Sequence, residues 1–303
     1  MENILKTVDI TKKFSKKVAV SAVNMNIKKG DIYGFIGRNG AGKTTLIKML
    51  VGLSQPTSGS IELFDSKNLN KARRKIGTVI EAPAFIPHLS ARQNMFIQWT
   101  LLGSKDKSII DETLKLVGLD NVGNKKVKKF SLGMKQRLGI AMTLMGEPEF
   151  LILDEPTNGL DPEGIIEIRQ MLKKLNQEKG LTILISSHIL GELSKLATRY
   201  GIINDGVLID EFTEQELTER CQSSLIVKVN DINKACEILK SELNTDRFSV
   251  LNENTLEVFD FVDNPGKVNS ILAKNDIIID SISKKSVDLE DYFMKVIGGN
   301  KDA

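Results

Sequence analysis

Two junctions in this sequence combine residue types and spacings that can do chemistry. The first is Gly37-Arg38-Asn39-Gly40-Ala41-Gly42-Lys43-Thr44, which fits the spacing G-x-x-x-x-G-K-T. An apolar run, Ile32 to Ile36, leads into it, and another, Leu46 to Leu50, leads out. The context is therefore strand, glycine loop, helix. Glycines let backbone N–H groups turn inward around an anion, and the start of a helix adds a favourable dipole. The chemistry implied is the holding of nucleotide phosphates. Lys43 reaches the β- and γ-phosphates, and the Thr44 hydroxyl holds Mg²⁺. Asn39, Gly40 and Gly42 shape the cradle, and Thr45 can add a phosphate contact. A ligand-free glycine turn has the same composition, but not this order of strand, loop, Lys-Thr and helix.

The second junction is Phe150-Leu151-Ile152-Leu153-Asp154-Glu155, an apolar strand that ends in two carboxylates. Alone it would read as a solvated strand end. Beside a phosphate loop, Asp154 takes the place of an Asp that organises Mg²⁺. Glu155 can orient and deprotonate an attacking water. Adjacent strand residues face opposite ways, so the chain must turn at once for both to serve one site. Pro156-Thr157 is expected to supply that turn.

These junctions need a parallel sheet to position them. Short apolar strands alternate with amphipathic helices through about residue 210, which predicts an α/β domain. Strands are expected at Ile32–Ile36, Ile76–Ile80, Phe150–Leu153, Leu181–Ile185 and Gly201–Ile203. A helix is expected from the Asp161 cap and Pro162 to Gly180, with Ile165, Ile168, Met171, Leu172 and Leu175 on one face. Residues 83–145 read as a helical insertion between two strands, with helices at Met95–Leu102 and Asp111–Val117. After the polar stretch TEQELTERCQ a new pattern starts. It runs strand Leu225–Val229, helix Ile232–Leu243, strands Phe248–Leu251 and Thr255–Phe259, helix Gly266–Ala273, strand Ile277–Ile282 and helix Leu289–Val296. The order βαββαβ is that of a ferredoxin-like α+β domain.

Composition narrows the function classes. The chain has 303 residues, room for about two domains. Lys plus Arg is 42 against 39 for Asp plus Glu, a net charge of +3 that gives no argument for nucleic acid. The two cysteines, Cys221 and Cys236, have no metal spacing and point to no disulfide framework. No run approaches the ~20 apolar residues that cross a bilayer, and the N-terminus has no secretory pattern. Any membrane role must go through a separate partner.

With these motifs in this order, the sequence resembles the ABC ATPases. Phe130-Ser131-Leu132-Gly133-Met134-Lys135-Gln136-Arg137 resembles their signature motif. It keeps Ser131, the second-glycine position at Gly133 and the Gln-Arg pair, and it departs at Leu132 and Met134. Ser131 can cap the helix that follows. The resemblance implies that Ser131 and Gly133 contact the γ-phosphate held by a second copy. Asn158-Gly159-Leu160-Asp161 resembles the D-loop, and Ser186-Ser187-His188 the switch histidine that contacts the γ-phosphate and positions Glu155. The other histidine, His88, reads as a surface loop residue. Phe14 lies where the family stacks an aromatic ring on adenine, although the same residue could serve the core.

One position departs in charge. The family has a Gln at the end of a strand where this chain has Glu81, after Ile76 to Ile80. Glu at this place resembles the subgroup linked to lantibiotic immunity and bacitracin export. A carboxylate there can still coordinate Mg²⁺ and a water. Gln93 falls within a helical pattern well past the strand end. Phe85 to Met95 is expected to form part of a surface that docks a permease helix. The ending Val287-Asp288-Leu289-Glu290-Asp291-Tyr292-Phe293 resembles the tail of exporter ATPase subunits.

The expected fold is therefore a P-loop NTPase core over residues 1–215, with its helical insertion, and a ferredoxin-like domain over 220–303. The resemblance implies an ATPase that binds ATP and Mg²⁺ as a head-to-tail homodimer, each site joining Lys43 of one chain to Ser131 of the other. It would sit at the inner face of the cell membrane and drive a separate integral membrane permease, with an antimicrobial peptide as cargo. The competing class, an ABC ATPase acting on ribosomes or DNA, carries two ATPase domains or a long coiled coil. One phosphate loop and no heptad run weigh against it. A non-hydrolysing regulatory module is opposed by Lys43, Asp154, Glu155 and His188 together.

Overall fold

Parallel strands covered on both faces leave little room for polar side chains. Three segments here are buried at every position: Ile32–Ile36, Phe150–Asp154 and Thr182–Ser187. They form the centre of the first of two compact units, Met1–Glu214 and Gln215–Ala303. The computed structural model describes residues 2–220, 223–285 and 292–293.

The first unit runs through strands β1 (Asn3–Phe14), β2 (Lys17–Val23), β3 (Asn26–Lys28) and β4 (Ile32–Ile36) into helix α1 (Lys43–Leu50). It continues with β5 (Ser58–Leu63), the single turn α2 (Leu69–Ala72) and β6 (Ile76–Val79). Helices α3 (Ala91–Leu102), α4 (Ser108–Leu116) and α5 (Leu132–Leu144) precede β7 (Phe150–Asp154). Then come α6 (Pro162–Lys179), β8 (Thr182–Ser187), the turn α7 (Leu190–Leu193), β9 (Arg199–Asn204) and β10 (Val207–Thr213).

The main sheet has the order β10-β9-β4-β8-β7-β6 and is parallel except for β10. The two chemical junctions thus end strands β4 and β7, and β8 lies between them. Register brings Ile36 beside Ser187, and Ser186 beside Asp154. A second, antiparallel sheet joins β2, β1 and β3, with β5 also on β1. One core cluster links the two sheets through α1, including Ile4, Leu5, Leu46, Leu50, Phe35 and Ile152. The helix that begins at the phosphate loop is therefore held by apolar burial on both sides.

Local sequence explains the helix ends. Asp161 accepts from Gly164 N–H at the start of α6, Pro162 follows it, and Gly180 ends the helix in the left-handed region. Ser90 and Gln93 form a reciprocal capping box on α3. Gln93 is thus an N-terminal helix residue whose Oε1 accepts from Ser90 N–H at 2.9 Å.

The second unit begins within α8 (Glu214–Arg220) and continues with β11 (Ser224–Val229), α9 (Ile232–Glu242), β12 (Phe248–Asn252) and β13 (Thr255–Val258). Helix α10 (Pro265–Lys274) and strand β14 (Ile279–Lys285) complete the described part. Its sheet is antiparallel in the order β12-β13-β11-β14, the arrangement of a ferredoxin-like βαββαβ unit. Leu225, Val227 and Leu256 pack with Ile238, Leu239, Val268 and Leu272 in a separate core.

Two features differ from the sequence reading. The stretch TEQELTERCQ is helical as far as Arg220. The antiparallel sheet of β1, β2, β3 and β5 was not expected. Its longest strand alternates poorly, because β1 is bulged between Ile10 and Lys13 and between Asn3 and Leu5, so its period-2 signal is broken. Cys221 and most of both the Val287–Phe293 ending and the helix expected at Leu289–Val296 lie outside the described residues.

Candidate nucleotide site

The phosphate loop is built around backbone that only glycine supplies. Gly42 caps α1 with a φ of +110°, and a Cβ on it would stand 2.6 Å from the Ala19 carbonyl. The loop consequently folds back over the Lys43 side chain, which is 5% exposed. The Lys43 ammonium donates to the carbonyls of Gly37 at 2.6 Å and Arg38 at 3.3 Å. It also pairs with Glu155 Oε1 at 3.0 Å.

The end of β7 faces this lysine. Asp154, 3% exposed, accepts from the Thr44 hydroxyl at 2.7 Å through Oδ2 and from the Ser186 hydroxyl at 2.6 Å through Oδ1. Glu155 Oε2 lies 2.5 Å from His188 Nδ1. The chain does turn at once after Asp154, but the turn falls on Glu155 itself, whose φ is +51°. The left-handed backbone of Glu155, upstream of the Pro156-Thr157 pair, swings its carboxylate to the side of Asp154.

Phe14, Asn39, Gly40, Gly42, Lys43, Thr44, Thr45 and Glu155 line one cavity of about 540 Å³, a size within the usual range for ligand pockets. Phe14 is 52% exposed, which removes it from the core. The ammonium of Lys12 stands 4.9 Å from its ring centroid. Lys17, Asp205 and Gly206 line the same cavity. Asp205 and Gly206 both have positive φ in the tight turn between β9 and β10. An Asp-Gly pair between two apolar runs is a hairpin signal that could have located this wall.

A family model for the ABC transporter matches residues 20–158. The bacitracin transport ATP-binding protein BcrA of Bacillus licheniformis is 45% identical over 302 residues, covering 99% of this chain and 99% of its own. The chain belongs to the ABC transporter family of ATP-binding subunits. As an ABC subunit it binds ATP and couples its hydrolysis to transport. The lantibiotic transport ATP-binding protein SrtF of Streptococcus pyogenes is 48% identical over 209 residues, 69% of this chain and 90% of its own. Among solved structures, the ATP-binding cassette MJ0796, dimeric and bound to ADP and Pi, is 30% identical with a TM-score of 0.62. That match covers 69% of this chain and 98% of the cassette.

Not every expected residue of the ABC subunit reaches this cavity. Ser131 is exposed at the start of α5, and its Oγ accepts from Met134 N–H at 3.2 Å. Gly133 in the first turn has only Leu160 and Gly164 near where a Cβ would be, at 3.8 and 3.9 Å. Neither lines the cavity. Glu81 requires a correction. Its side chain is 67% exposed, it is not among the cavity-lining residues, and its carboxylate accepts from Lys48 Nζ at 2.7 Å. That hydrogen bond and the lysine charge hold the Glu81 carboxyl below its ordinary pKa. Lys48 sits one helical turn beyond Thr44 on α1, and it is this lysine that holds the Glu81 carboxylate. His88 is exposed in a loop, as expected. Among the described residues, no helix is long and apolar enough to cross a membrane.

Proposed function

We propose that this subunit hydrolyses ATP as a head-to-tail homodimer and drives a separate integral membrane permease, with an amphiphilic antimicrobial peptide as cargo. The supporting observation is that the cavity-lining residues Lys43, Thr44 and Glu155 are tied by direct contacts to one another and to Asp154 and His188 behind them: Lys43 to Glu155 at 3.0 Å, Thr44 to Asp154 at 2.7 Å and His188 to Glu155 at 2.5 Å. The names of BcrA and SrtF, bacitracin and lantibiotic transport proteins, supply the cargo class. In this reading the first unit is the ATPase, Phe85 to Met95 within the helical insertion form part of the permease-docking surface, and the second unit is an accessory domain. Because no described helix can span a bilayer, attachment to the inner face of the membrane falls to the permease.

The residues divide the work by chemistry. Lys43 neutralises the β- and γ-phosphates, and the loop N–H groups from Asn39 to Thr45 cradle them. Phe14 offers a ring face to adenine. Glu155 accepts a proton from the attacking water as its oxygen bonds to the γ-phosphorus and the bond to the β–γ bridging oxygen breaks. His188 holds the Glu155 carboxylate by its second oxygen and can donate to the γ-phosphate. Ser131 and Gly133 of the partner copy present a helix N-terminus to the same phosphate.

The Thr44 hydroxyl and Asp154 carboxylate, 2.7 Å apart, form a hard-oxygen pair suited to Mg²⁺. Among the described residues no group of three or more His, Cys, Asp or Glu could form a metal cage. That fits an ion held by one or two protein oxygens and by the nucleotide. Such an ion, when bound, neutralises phosphate charge.

The test is to express the chain with its permease in a strain sensitive to bacitracin-like peptides. Wild type should confer survival and Lys43→Ala should not. The purified chain should show Mg²⁺-dependent ATPase activity. Survival with Lys43→Ala, at equal expression, would overturn the proposal.

A further inference from the structure

Ser186 is the last residue but one of β8 and is fully buried. A hydroxyl carries one hydrogen and two lone pairs, so both its roles here are fixed by its partners. The backbone N–H of Glu155 can only donate, and it donates to Ser186 Oγ at 2.9 Å. The hydroxyl hydrogen is then free for Asp154 Oδ1, 2.6 Å away. One buried oxygen thus bridges the two adjacent acidic residues at the end of β7.

Each bond constrains something different. Asp154 is gripped at one carboxylate oxygen by Thr44 of α1 and at the other by Ser186 of β8. Two hydroxyls from two elements fix the plane of the carboxylate. The bond to Glu155 N–H falls on the residue with φ +51°, where the backbone would relax toward an extended form without a hold. The other hydroxyls of β8 behave differently. Ser187 Oγ accepts from Ile189 N–H at 2.9 Å, and Thr182 Oγ1 accepts from Gly30 N–H at 2.9 Å. Both tie down backbone only. A buried parallel strand favours Val or Ile at such a position, and either would leave Asp154 Oδ1 and Glu155 N–H without this partner.

We propose that Ser186 is a positioning residue for ATP hydrolysis: its hydroxyl sets the Asp154 carboxylate plane and the turn that carries Glu155 to the water. This inference rests on the roles given above to Asp154 and Glu155. Ser186 touches neither nucleotide nor water in this scheme and acts through those two carboxylates. Its loss should therefore leave the phosphate loop, and nucleotide binding by Lys43, as they are.

The experiment uses the full chain and compares Ser186→Ala, Ser186→Cys and Ser186→Thr. Steady-state ATPase gives kcat and KM. Electron paramagnetic resonance of Mn²⁺ with a non-hydrolysable ATP analogue gives metal affinity without turnover. For Ser186→Ala, kcat should fall by about 10- to 100-fold, the cost of stranding a buried acceptor beside the reaction. KM for ATP should stay within about threefold and Mn²⁺ affinity should drop at least about fivefold. Ser186→Cys, close in size with a weak donor, should follow Ser186→Ala and keeps the test open if the alanine chain does not fold. Ser186→Thr, which keeps the hydroxyl, should lie closer to wild type than either. A lowered melting temperature with kcat and Mn²⁺ affinity unchanged would make Ser186 a packing residue and overturn the proposal. Asp154→Asn and Glu155→Gln run alongside. If those two turn over like wild type, the reading of the acidic pair fails, whatever Ser186 does.

Discussion

Two hydroxyls in this protein stand at the ends of secondary elements and meet opposite fates. Ser186 is sealed at the end of β8 and bonds both acidic residues of the site. Ser131 is exposed at the start of α5 and bonds its own helix at Met134. The sheet edge is finished within one chain: Lys43, Asp154, Glu155 and His188 each already have a partner there. The α5 end is unfinished, because the first N–H groups of a helix have no internal acceptor and face outward. A site with one complete half and one presented half is what a reaction between two copies requires.

The contrast can be broken from either side. The largest effect is expected at Glu155. Glu155→Gln removes the proton acceptor but keeps the shape, so turnover should fall on the order of 10²–10⁴-fold. ATP binding should persist, and an ATP-bound dimer should accumulate on size-exclusion chromatography. Near-normal turnover would remove Glu155 from the mechanism. Ser131→Arg should block hydrolysis with nucleotide affinity of the monomer intact. Mixing it with Lys43→Ala should recover part of the activity, because one site of the mixed dimer then carries neither defect. A mixture as inactive as its parents, with heterodimers demonstrated, would show that the halves do not combine as proposed.

Smaller effects sharpen the boundary between the halves. Phe14→Ala should raise the Kd for ATP by about 5- to 100-fold, the range of one base–aromatic stack, and leave kcat at saturating ATP nearly unchanged. Equal loss for ATP and for inorganic triphosphate would mean that the ring does not read the base. Glu81→Ala should lower transport more than basal ATPase activity. Glu81→Gln should be milder, because it keeps an oxygen for Lys48. Full transport in Glu81→Ala would reduce this residue to a surface ion pair. The smallest effect concerns the second unit, which has its own core. A chain ending at Thr218 should bind ATP like the full chain, measured by calorimetry, and a folded truncation without binding would contradict that.

Much of the site is legible from sequence, for a physical reason. Residues that close a buried strand and open a loop must sit at the sheet edge, so Lys43, Thr44, Asp154 and Glu155 could be placed from the apolar runs before them. Strands β6 to β9 fall within one or two residues of their expected limits. Three things were not legible. The position of the turn at Glu155 depends on a tertiary bond from Ser186, and no local signal announces a left-handed Glu. Glu81 was assigned to the metal by its place at a strand end, but Lys48, on a different element, captures it. The antiparallel sheet escaped because its strands are bulged and only half buried. Ser186 did carry a signal: with Ser187 it replaces the apolar residues that precede it, Ile183 to Ile185, in a fully buried strand.

The place of β8 between β4 and β7 bears on which length changes this protein can accept. A strand alternates its side chains with a period of two, so slipping by one residue exchanges its faces. Adding or deleting one residue before Ser186 would turn its hydroxyl from Asp154 and displace His188 from Glu155 in a single event. The same change in the exposed link from Gly103 to Lys107, between α3 and α4, meets no sheet register and touches neither carboxylate of the site. Length variation among natural versions of this chain should therefore gather in that link and avoid β8.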